Sequence, residues 1–257
     1  MRLLLTNDDG AYAPGLKALH QALAAAGHEL WVVAPETEQS AVGHAITLAD
    51  PIRVHPLTPE SGMRGWAVNG TPADCVKLAV HELLPAPPEM VIAGINQGAN
   101  VGVNLLYSGT VSAATEGAIM GLPAMSLSLA THEPFFGFSY AARLAARLVE
   151  AWERLGVPPG VSLNVNVPAL APGKIKGVRF TRQSLARLRE SFLRRQDPRG
   201  HTYYWQAGEK MGAEGDEHTD YPALLAGYVT ITPVSHDLTH HQALEALGGL
   251  EKEILPR

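Results

Sequence analysis

Residues 1–10 of the chain read MRLLLTNDDG, and this stretch determines the kind of fold to expect. Its leucine run predicts a buried strand over Arg2–Thr6, and Asp8 and Asp9 follow the strand almost at once. One aspartate is enough to cap a following helix, whereas two adjacent carboxylates repel each other. A bound cation would remove that repulsion. The pair therefore predicts a cation site at the end of the first strand.

The next residues continue the pattern of an α/β protein. Residues 14–26 predict a helix, because Pro14 favours a helix start and Gly27 favours a helix end. Short apolar runs then alternate with helical patterns over the first two-thirds of the chain, which is typical of βα units and a mainly parallel sheet. Further strands are predicted over residues 29–34, 90–93, 124–129, 162–167 and 228–231, and further helices from Thr71 onward and over residues 111–120, 140–155, 220–226 and 238–247.

Two of these segments allow more detailed predictions. Thr71 suits the N-cap of a helix, Pro72 its first residue, and Asp74 the partner of Thr71 in a capping box. Residues 162–167, SLNVNV, alternate in polarity and stop at Pro168. This alternation favours a position near an edge of the sheet.

The pattern as a whole predicts a Rossmann-like three-layer α/β/α sandwich with a mainly parallel sheet, in a single domain over residues 1–257. Residues 1–181 are expected to form the core. Residues 182–257 are expected to form an oligomerisation arm, with a protruding hairpin and a terminal helix. Arginines crowd this arm beside the aromatic triplet 203–205, a combination enriched at subunit interfaces. We therefore expect a homodimer or a homotetramer.

Composition narrows the class of protein. The 257 residues are 46% hydrophobic and 18% charged, as in ordinary globular proteins. A formal net charge of -5 argues against a nucleic-acid binder. The one cysteine, Cys75, fits a reducing compartment, and no apolar run is long enough to span a membrane. A cytoplasmic protein without a membrane or nucleic-acid partner is expected.

Other polar residues are predicted at the same sheet edge as the aspartate pair, since ligand sites of parallel sheets lie beyond the carboxyl ends of the strands. Residues 93–117 are rich in glycine and asparagine. Within this stretch, Ser108, Gly109 and Thr110 lie at the start of a predicted helix. Such a helix start can bind an anion, although the same residues also suit an ordinary cap. Ser40 follows the second strand, where a ligand, a nucleophile and an ordinary loop serine all fit.

The absence of several phosphate-binding motifs is also informative. No GxGxxG follows the first strand and no GxxxxGK[ST] occurs, so neither dinucleotide binding nor a P-loop is indicated. No DxD motif of a phosphoaspartyl enzyme follows the first strand either. A phosphate bound here would be held by a metal and neutral donors.

Six motifs together resemble the survival protein E (SurE) family: NDDG, SAVGHAIT, NGTPADCV, GINQGANVGVNLLYSGTVSAATEG, NVNVP and GYVTITPVS. The similarity runs from Met1 to about Leu247. It implies a Rossmann-like, metal-dependent phosphatase of nucleoside monophosphates, with one divalent cation per subunit and an oligomer built through the C-terminal part. On the matching positions it implies metal ligands at Asp8, Asp9, Ser40 and Asn96, and phosphate contacts at Asn100, Ser108, Gly109 and Thr110.

These implied ligands are all oxygen donors, which suits Mg²⁺ or Mn²⁺. The expected reaction is attack on the phosphate by a metal-activated water without a covalent intermediate. Asp8, Asp9 and Asn96 are the catalytic candidates, and either aspartate could orient or deprotonate the water. The expected activity is that of a 5′-nucleotidase, with 3′-nucleotides and polyphosphate as further candidate substrates.

Two other functions fit part of the pattern. A zinc-dependent deacetylase of Rossmann-like fold also has paired aspartates, but it needs histidine ligands, and no histidine directly precedes Asp8. A non-catalytic sensor of nucleotides or metals would use the same residues without turnover. Release of phosphate from nucleotides distinguishes these alternatives.

Several remaining residues favour structural roles over chemical ones. The histidines at positions 236, 240 and 241 include zinc-like spacing, but a solvated helix face is the better interpretation. Phe135, Phe136 and Phe138 fit packing better than a base-stacking entrance. Cys75 is expected to be buried and inert.

Overall fold

The computed structural model describes residues 1–131, 133, 137–185, 188–211, 215–248 and 250. Within these residues, nine strands form one sheet in the order β3-β4-β2-β1-β5-β6-β7-β11-β8. The strands are β1 Arg2–Thr6, β2 Glu29–Pro35, β3 Val54–Pro56, β4 Gly65–Val68, β5 Met90–Gln97, β6 Ala124–Ala130, β7 Val161–Pro168, β8 Val178–Phe180, β9 Leu188–Gln196, β10 Thr202–Met211 and β11 Val229–Ser235. The α-helices are α1 Pro14–Ala25, α2 Pro72–Leu78, α3 Gly109–Ile119, α4 Ser139–Leu155, α5 Asp220–Leu225 and α6 His241–Leu247.

The centre of the sheet is parallel and buried. Strand β1 pairs with β2 on one side and with β5 on the other, so that Leu5 is aligned with Val32 and with Ile92. Strands β6 and β7 continue the parallel arrangement. Within the described part of this nine-stranded sheet, antiparallel pairing occurs only further out, between β3 and β4 and between β7 and β11. The carboxyl ends of the central strands consequently meet at one edge.

Helices cover both faces of this sheet. Leu3 and Leu5 point into a core shared with α1 and α4, whereas Leu4 points into a core shared with α2 and α3. All three leucines are fully buried. The alternation follows from the strand period of two, and it confirms the predicted α/β/α sandwich.

The start of α2 follows the predicted chemistry. The Thr71 hydroxyl accepts a hydrogen bond from the Asp74 backbone N–H (3.1 Å), and the Asp74 carboxylate accepts one from the Thr71 N–H (2.9 Å). Pro72 is the first residue of the helix. The predicted capping box is confirmed.

The predicted position of β7 near a sheet edge is wrong. This strand lies inside the sheet, between β6 and β11. Its polar residues Asn164 and Asn166 are fully buried rather than exposed. The alternation in SLNVNV therefore reflects buried polar contacts, described below, and not a solvent-facing side.

The later part of the chain contributes both to the sheet and to a separate hairpin. Strand β11 joins the main sheet, while β9 and β10 pair antiparallel as a two-stranded sheet of their own. A parallel bridge between Arg182 and Thr219 closes the base of this hairpin. The predicted hairpin and terminal helix α6 are present; the division of the chain at residue 181 stays a prediction.

Candidate metal and phosphate site

The aspartate pair lies at the carboxyl end of β1, in the middle of the sheet. Asp8 is buried and accepts a hydrogen bond from the Thr110 hydroxyl, whereas Asp9 is only partly buried. Burial raises the pKa of Asp8. Burial, followed by the neighbouring charge of Asp8, raises the pKa of Asp9 to about 7. Without a cation the pair resists carrying two negative charges, as expected for like charges taken out of water.

The start of α3 packs directly against Asp8. The Ser108 hydroxyl oxygen accepts a hydrogen bond from the Val111 N–H (3.1 Å) and so caps the helix. A Cβ added at Gly109 would lie 2.8 Å from the Asp8 Cβ and 3.1 Å from the Pro72 Cγ. Glycine is therefore required at this position if the helix is to begin so close to the strand.

The loop after β2 places Ser40 beside the pair. The Gln39 N–H donates to the Asp8 carbonyl oxygen (2.7 Å), which fixes the loop against the end of β1. Ser40 itself is exposed, and its hydroxyl donates to the Glu38 carboxylate. The negative charge of Glu38 also raises the pKa of both aspartates. Glu38 is thus a third carboxylate near the pair, and sequence analysis did not assign it to the site.

An ion cluster around the buried Glu116 ties the same loop to α2 and α3. His44 Nε2 lies 2.8 Å from Glu116 Oε2, and Lys77 Nζ lies 3.1 Å from Glu116 Oε1. The hydrogen bond from His44 lowers the pKa of the buried Glu116, and Lys77 adds to the effect. Nearby, Asp74 accepts hydrogen bonds from the backbone and hydroxyl of Thr47. These contacts hold residues 44–47, which follow Ser40 in the same loop, against α2 and α3.

Asn96 lies in β5, which is longer than predicted and extends to Gln97. The Asn96 Nδ2 donates to the Gly98 carbonyl (2.8 Å), so its Oδ1 remains available as an acceptor. A backbone hydrogen bond from Gln97 reaches the Asp9 carboxylate and counteracts part of its pKa rise. Asn96 and the aspartate pair therefore share the same end of two adjacent strands.

Asn100 is held from the β6–β7 side of the sheet. Its carbonyl accepts hydrogen bonds from Asn164 Nδ2 (2.8 Å) and Asn166 Nδ2 (2.9 Å), and its N–H donates to Asn166 Oδ1 (2.8 Å). Its side-chain amide donates to the Ser128 hydroxyl (2.9 Å). Asn164 and Asn166 are supporting residues that sequence analysis missed. The sequence did contain an indication of this supporting role, because two asparagines alternate with valines in a predicted strand.

The donor set of the site fits a hard divalent cation. Asp8, Asp9, Ser40 and Asn96 offer only oxygen ligands. The buried Asn7 Oδ1, next to Asp8, has no hydrogen-bond partner among the described residues. In the described part of the chain, no group of three or more His, Cys, Asp and Glu side chains could hold a metal.

The other residues considered from sequence have structural contacts. His241 Nε2 lies 3.1 Å from Asp237 Oδ2, and His240 Nδ1 accepts the N–H of Ala243 at the start of α6. Cys75 is buried, and burial raises the pKa of its thiol well above the usual value. Phe138 packs on the core beside α1 and α4. The side chains of Phe135 and Phe136 lie outside the described residues.

Fold and site together define a Rossmann-like α/β protein with an oxygen-rich acidic site at the carboxyl edge of its parallel sheet. The family model described as Survival protein SurE matches residues 3–190. The chain thus belongs to the SurE family, as its motifs predicted.

Curated relatives match over nearly the whole chain. A "5'-nucleotidase SurE" of Syntrophobacter fumaroxidans is 52% identical over 248 residues, covering 96% of this chain and 98% of the relative. A "5'-nucleotidase SurE" of Thermosynechococcus vestitus is 47% identical and covers 100% of this chain and 98% of the relative. The crystal structure of the SurE protein from Aquifex aeolicus superposes with a TM-score of 0.84 at 38% identity, covering 98% of this chain and 100% of that one. The similarity to these proteins therefore extends over nearly the whole chain.

Proposed function

We propose that this chain hydrolyses nucleoside monophosphates to nucleoside and phosphate at the Asp8–Asp9 site, with one Mg²⁺ or Mn²⁺ per subunit. The chain is a phosphoric monoester hydrolase, since full-length relatives at about half identity carry the nucleotidase name. The observation that carries the proposal is the aspartate pair, whose pKa values are raised and which lies against the start of α3. A site for a cation thereby adjoins a site for an anion.

Asp8, Asp9, Ser40 and Asn96 would hold the cation. When bound, it supplies charge neutralisation, polarisation of the phosphoryl group and a lowered pKa for water. The chain prepares this site by fixing each donor: Thr110 holds Asp8, Gly98 holds the Asn96 amide, and Gln39 brings the Ser40 loop to Asp8. Such fixed donors lose little freedom when a ligand binds.

The start of α3 would bind the phosphate. The first N–H groups of a helix have no partner within the helix and favour an anion. Because the Ser108 oxygen accepts the Val111 N–H, the Ser108 proton remains free to donate to a phosphate oxygen. Gly109 would contribute its backbone N–H group, and Asn100 its side chain. Thr110 has a different role, since both its hydroxyl and its backbone N–H already donate to Asp8.

Of the two aspartates, Asp9 is the better proton acceptor for the attacking water. Asp8 is more deeply buried and is engaged by Thr110. Asp9 is partly exposed, so water reaches its carboxylate more easily than that of Asp8. Asp8 would accordingly orient the attacking water, and Asp9 would accept its proton.

The described residues include no helix long and apolar enough to cross a membrane. We propose a cytoplasmic enzyme that acts on 5′-nucleotides, and also on 3′-nucleotides and polyphosphate, as a homodimer or homotetramer without a nucleic-acid partner. The exposed aromatic residues of the hairpin support the oligomer.

One assay tests the proposed activity. Release of inorganic phosphate is measured from a panel of 5′- and 3′-nucleoside monophosphates and from polyphosphate, in EDTA and with Mg²⁺ or Mn²⁺ added. We expect release from 5′-nucleotides that is lost in EDTA and restored by metal. Binding of nucleotide without release would instead identify a sensor, and metal-independent release would overturn the proposed cation site.

A further inference from the structure

The segment between β5 and α3 contains two residues that the proposed function assigns to substrate. We call residues 98–107 the substrate loop, because it contains Asn100 and leads directly to Ser108. Asn100 is held from the core strands β6 and β7. A second point of the loop, at Gly102, is held from a different part of the molecule.

Gly102 is clamped through both of its backbone polar groups. Its N–H donates to the Asp220 Oδ2 (2.8 Å), and its carbonyl accepts a hydrogen bond from Gln183 Nε2 (2.8 Å). The residue is buried and has a φ of 59°, in the left-handed region that favours glycine. The loop is therefore fixed at one defined backbone position by two side chains.

Both clamping side chains belong to the base of the β9–β10 hairpin. Asp220 is fully buried, and its Oδ1 accepts the N–H of Ser184 (2.9 Å), which lies on the chain entering the hairpin. The Asp220 N–H donates to the carbonyl of Arg182 (2.9 Å). A buried carboxylate is tolerated only when such hydrogen bonds compensate for its lost hydration. One carboxylate thus joins the hairpin base to the substrate loop.

We propose that Gln183 and Asp220 are positioning residues that set the geometry of the substrate loop from the base of the hairpin. This inference rests on the proposed function, because Asn100 and Ser108 flank Gly102. Loosening Gly102 frees the chain that connects the two phosphate contacts, Asn100 and Ser108, but leaves the cation site at β1 and β5 in place. The effect of the clamp therefore falls on substrate affinity rather than on metal affinity.

Gln183→Ala tests the clamp with little risk to folding, because Gln183 lies at the surface. Arg182→Ala is the matched control. It removes an exposed ion pair with Asp216 in the same hairpin base, whereas the side chains that bind Gly102 within the described residues are those of Gln183 and Asp220. The measurements are KM and kcat with 5′-AMP, Mn²⁺ affinity by calorimetry, particle mass, and amide hydrogen exchange over the substrate loop.

We expect Gln183→Ala to raise KM about three- to tenfold, as for one lost hydrogen bond, and to accelerate amide exchange in the substrate loop. Mn²⁺ affinity and particle mass should equal those of the wild type. Arg182→Ala should match the wild type in all readouts. Asp220→Asn should change KM and exchange in the same direction and further; if it does not fold, the Gln183 comparison decides alone.

Two results overturn the inference: wild-type KM and exchange in Gln183→Ala, or equal changes in Gln183→Ala and Arg182→Ala. Failure of the proposed function looks different, because the wild type itself would then release no phosphate. In that case amide hydrogen exchange over the substrate loop, compared between Gln183→Ala and the wild type, still decides whether Gln183 holds the loop.

Discussion

Asp8 and Asp9 are adjacent in the chain, yet their surroundings give them different tasks. Asp8 is buried against α3 and bound by Thr110, while Asp9 is partly open and lies near the end of β5. Both receive additional negative potential from Glu38. The pair is therefore unfavourable in the metal-free protein, as expected for residues that serve a ligand rather than the fold.

Replacing either carboxylate should abolish turnover without unfolding the chain. Asp8→Asn or Asp9→Asn removes half of the anionic charge proposed for the cation site, so we expect phosphate release to fall by at least about a hundredfold. Phosphate release at saturating Mn²⁺ and Mn²⁺ affinity by calorimetry measure the effect. Normal turnover in either variant would disprove the metal assignment.

The raised pKa of Asp9 predicts how the stability of the metal-free protein depends on pH. Between pH 4 and about 7 the folded state keeps a proton that the unfolded state releases, so the stability contributed by this residue falls as the pH rises. Asp9→Asn should thus stabilise the metal-free protein at pH 8 by about 1–3 kcal/mol, less than the full shift implies because Asp9 is partly exposed. At pH 4 it should have little effect. Urea unfolding in EDTA at both pH values measures this, and equal stabilities at pH 8 would contradict it.

Substitutions of Ser108 and Thr110 should have different effects on catalysis and on metal affinity, although both residues were predicted from sequence to bind phosphate. Ser108→Ala should lower kcat/KM about ten- to a hundredfold through loss of a hydrogen bond to a charged group, with Mn²⁺ affinity unchanged. Thr110→Val should weaken Mn²⁺ binding, because the Thr110 hydroxyl holds Asp8. Thr110→Ser, which retains the hydroxyl, is the control. Unchanged Mn²⁺ affinity in Thr110→Val would restore the original assignment to phosphate.

At the scale of elements, the start of α3 depends on the absence of a side chain at Gly109. An added methyl group would lie 2.8 Å from the Asp8 Cβ, closer than real Cβ contacts allow. Gly109→Ala should therefore push the helix start away from β1 and reduce both Mn²⁺ affinity and phosphate release by at least about tenfold. Gly173→Ala is a suitable control, since nothing lies within 4 Å of that position. A Gly109→Ala variant with wild-type activity would show that the close approach is not needed.

The elements also show what sequence patterns can and cannot predict. β1 was predicted with its observed bounds and the capped start of α2 with its contacts, because leucine runs and Thr-Pro-x-Asp act locally. The position of β7 was mispredicted, since the partner of its asparagines is the backbone of Asn100, 64 and 66 residues earlier in the chain. The short strands β3, β4 and β8 were not predicted, as three or four residues carry little pattern.

The same distinction applies to the site. The family resemblance pointed to Asp8, Asp9 and Asn96, which the fold brings to adjacent strand ends. It gave no indication of Glu38, whose effect arises from its position in space. Nor could it show that the Thr110 hydroxyl is engaged by Asp8. Charges and hydrogen bonds between distant segments require the three-dimensional structure.

In the whole molecule, the hairpin is the part whose exposed apolar side chains are hard to explain in a single subunit. Trp205 and Leu193 are paired across one face and are 64% and 50% exposed. On the other face Tyr204 and Phe192 are each 61% exposed. An isolated two-stranded hairpin is marginally stable in water, and large apolar groups on both faces add to the cost of exposure. A second subunit packed on the hairpin would cover these side chains.

Deleting residues 188–207 and closing the gap with a short glycine linker should reduce the particle mass to that of a smaller assembly or a monomer. Light scattering measures the mass, and Mn²⁺ calorimetry should show that the site at Asp8 and Asp9 still binds metal. Trp205→Ser should weaken the assembly in the same direction, because buried aromatic residues supply much of the binding energy of interfaces. Leu48→Ser, at a residue 86% exposed outside the hairpin, is the control and should leave the mass unchanged. An unchanged mass after the deletion would refute the hairpin interface, whatever the activity of the shortened chain.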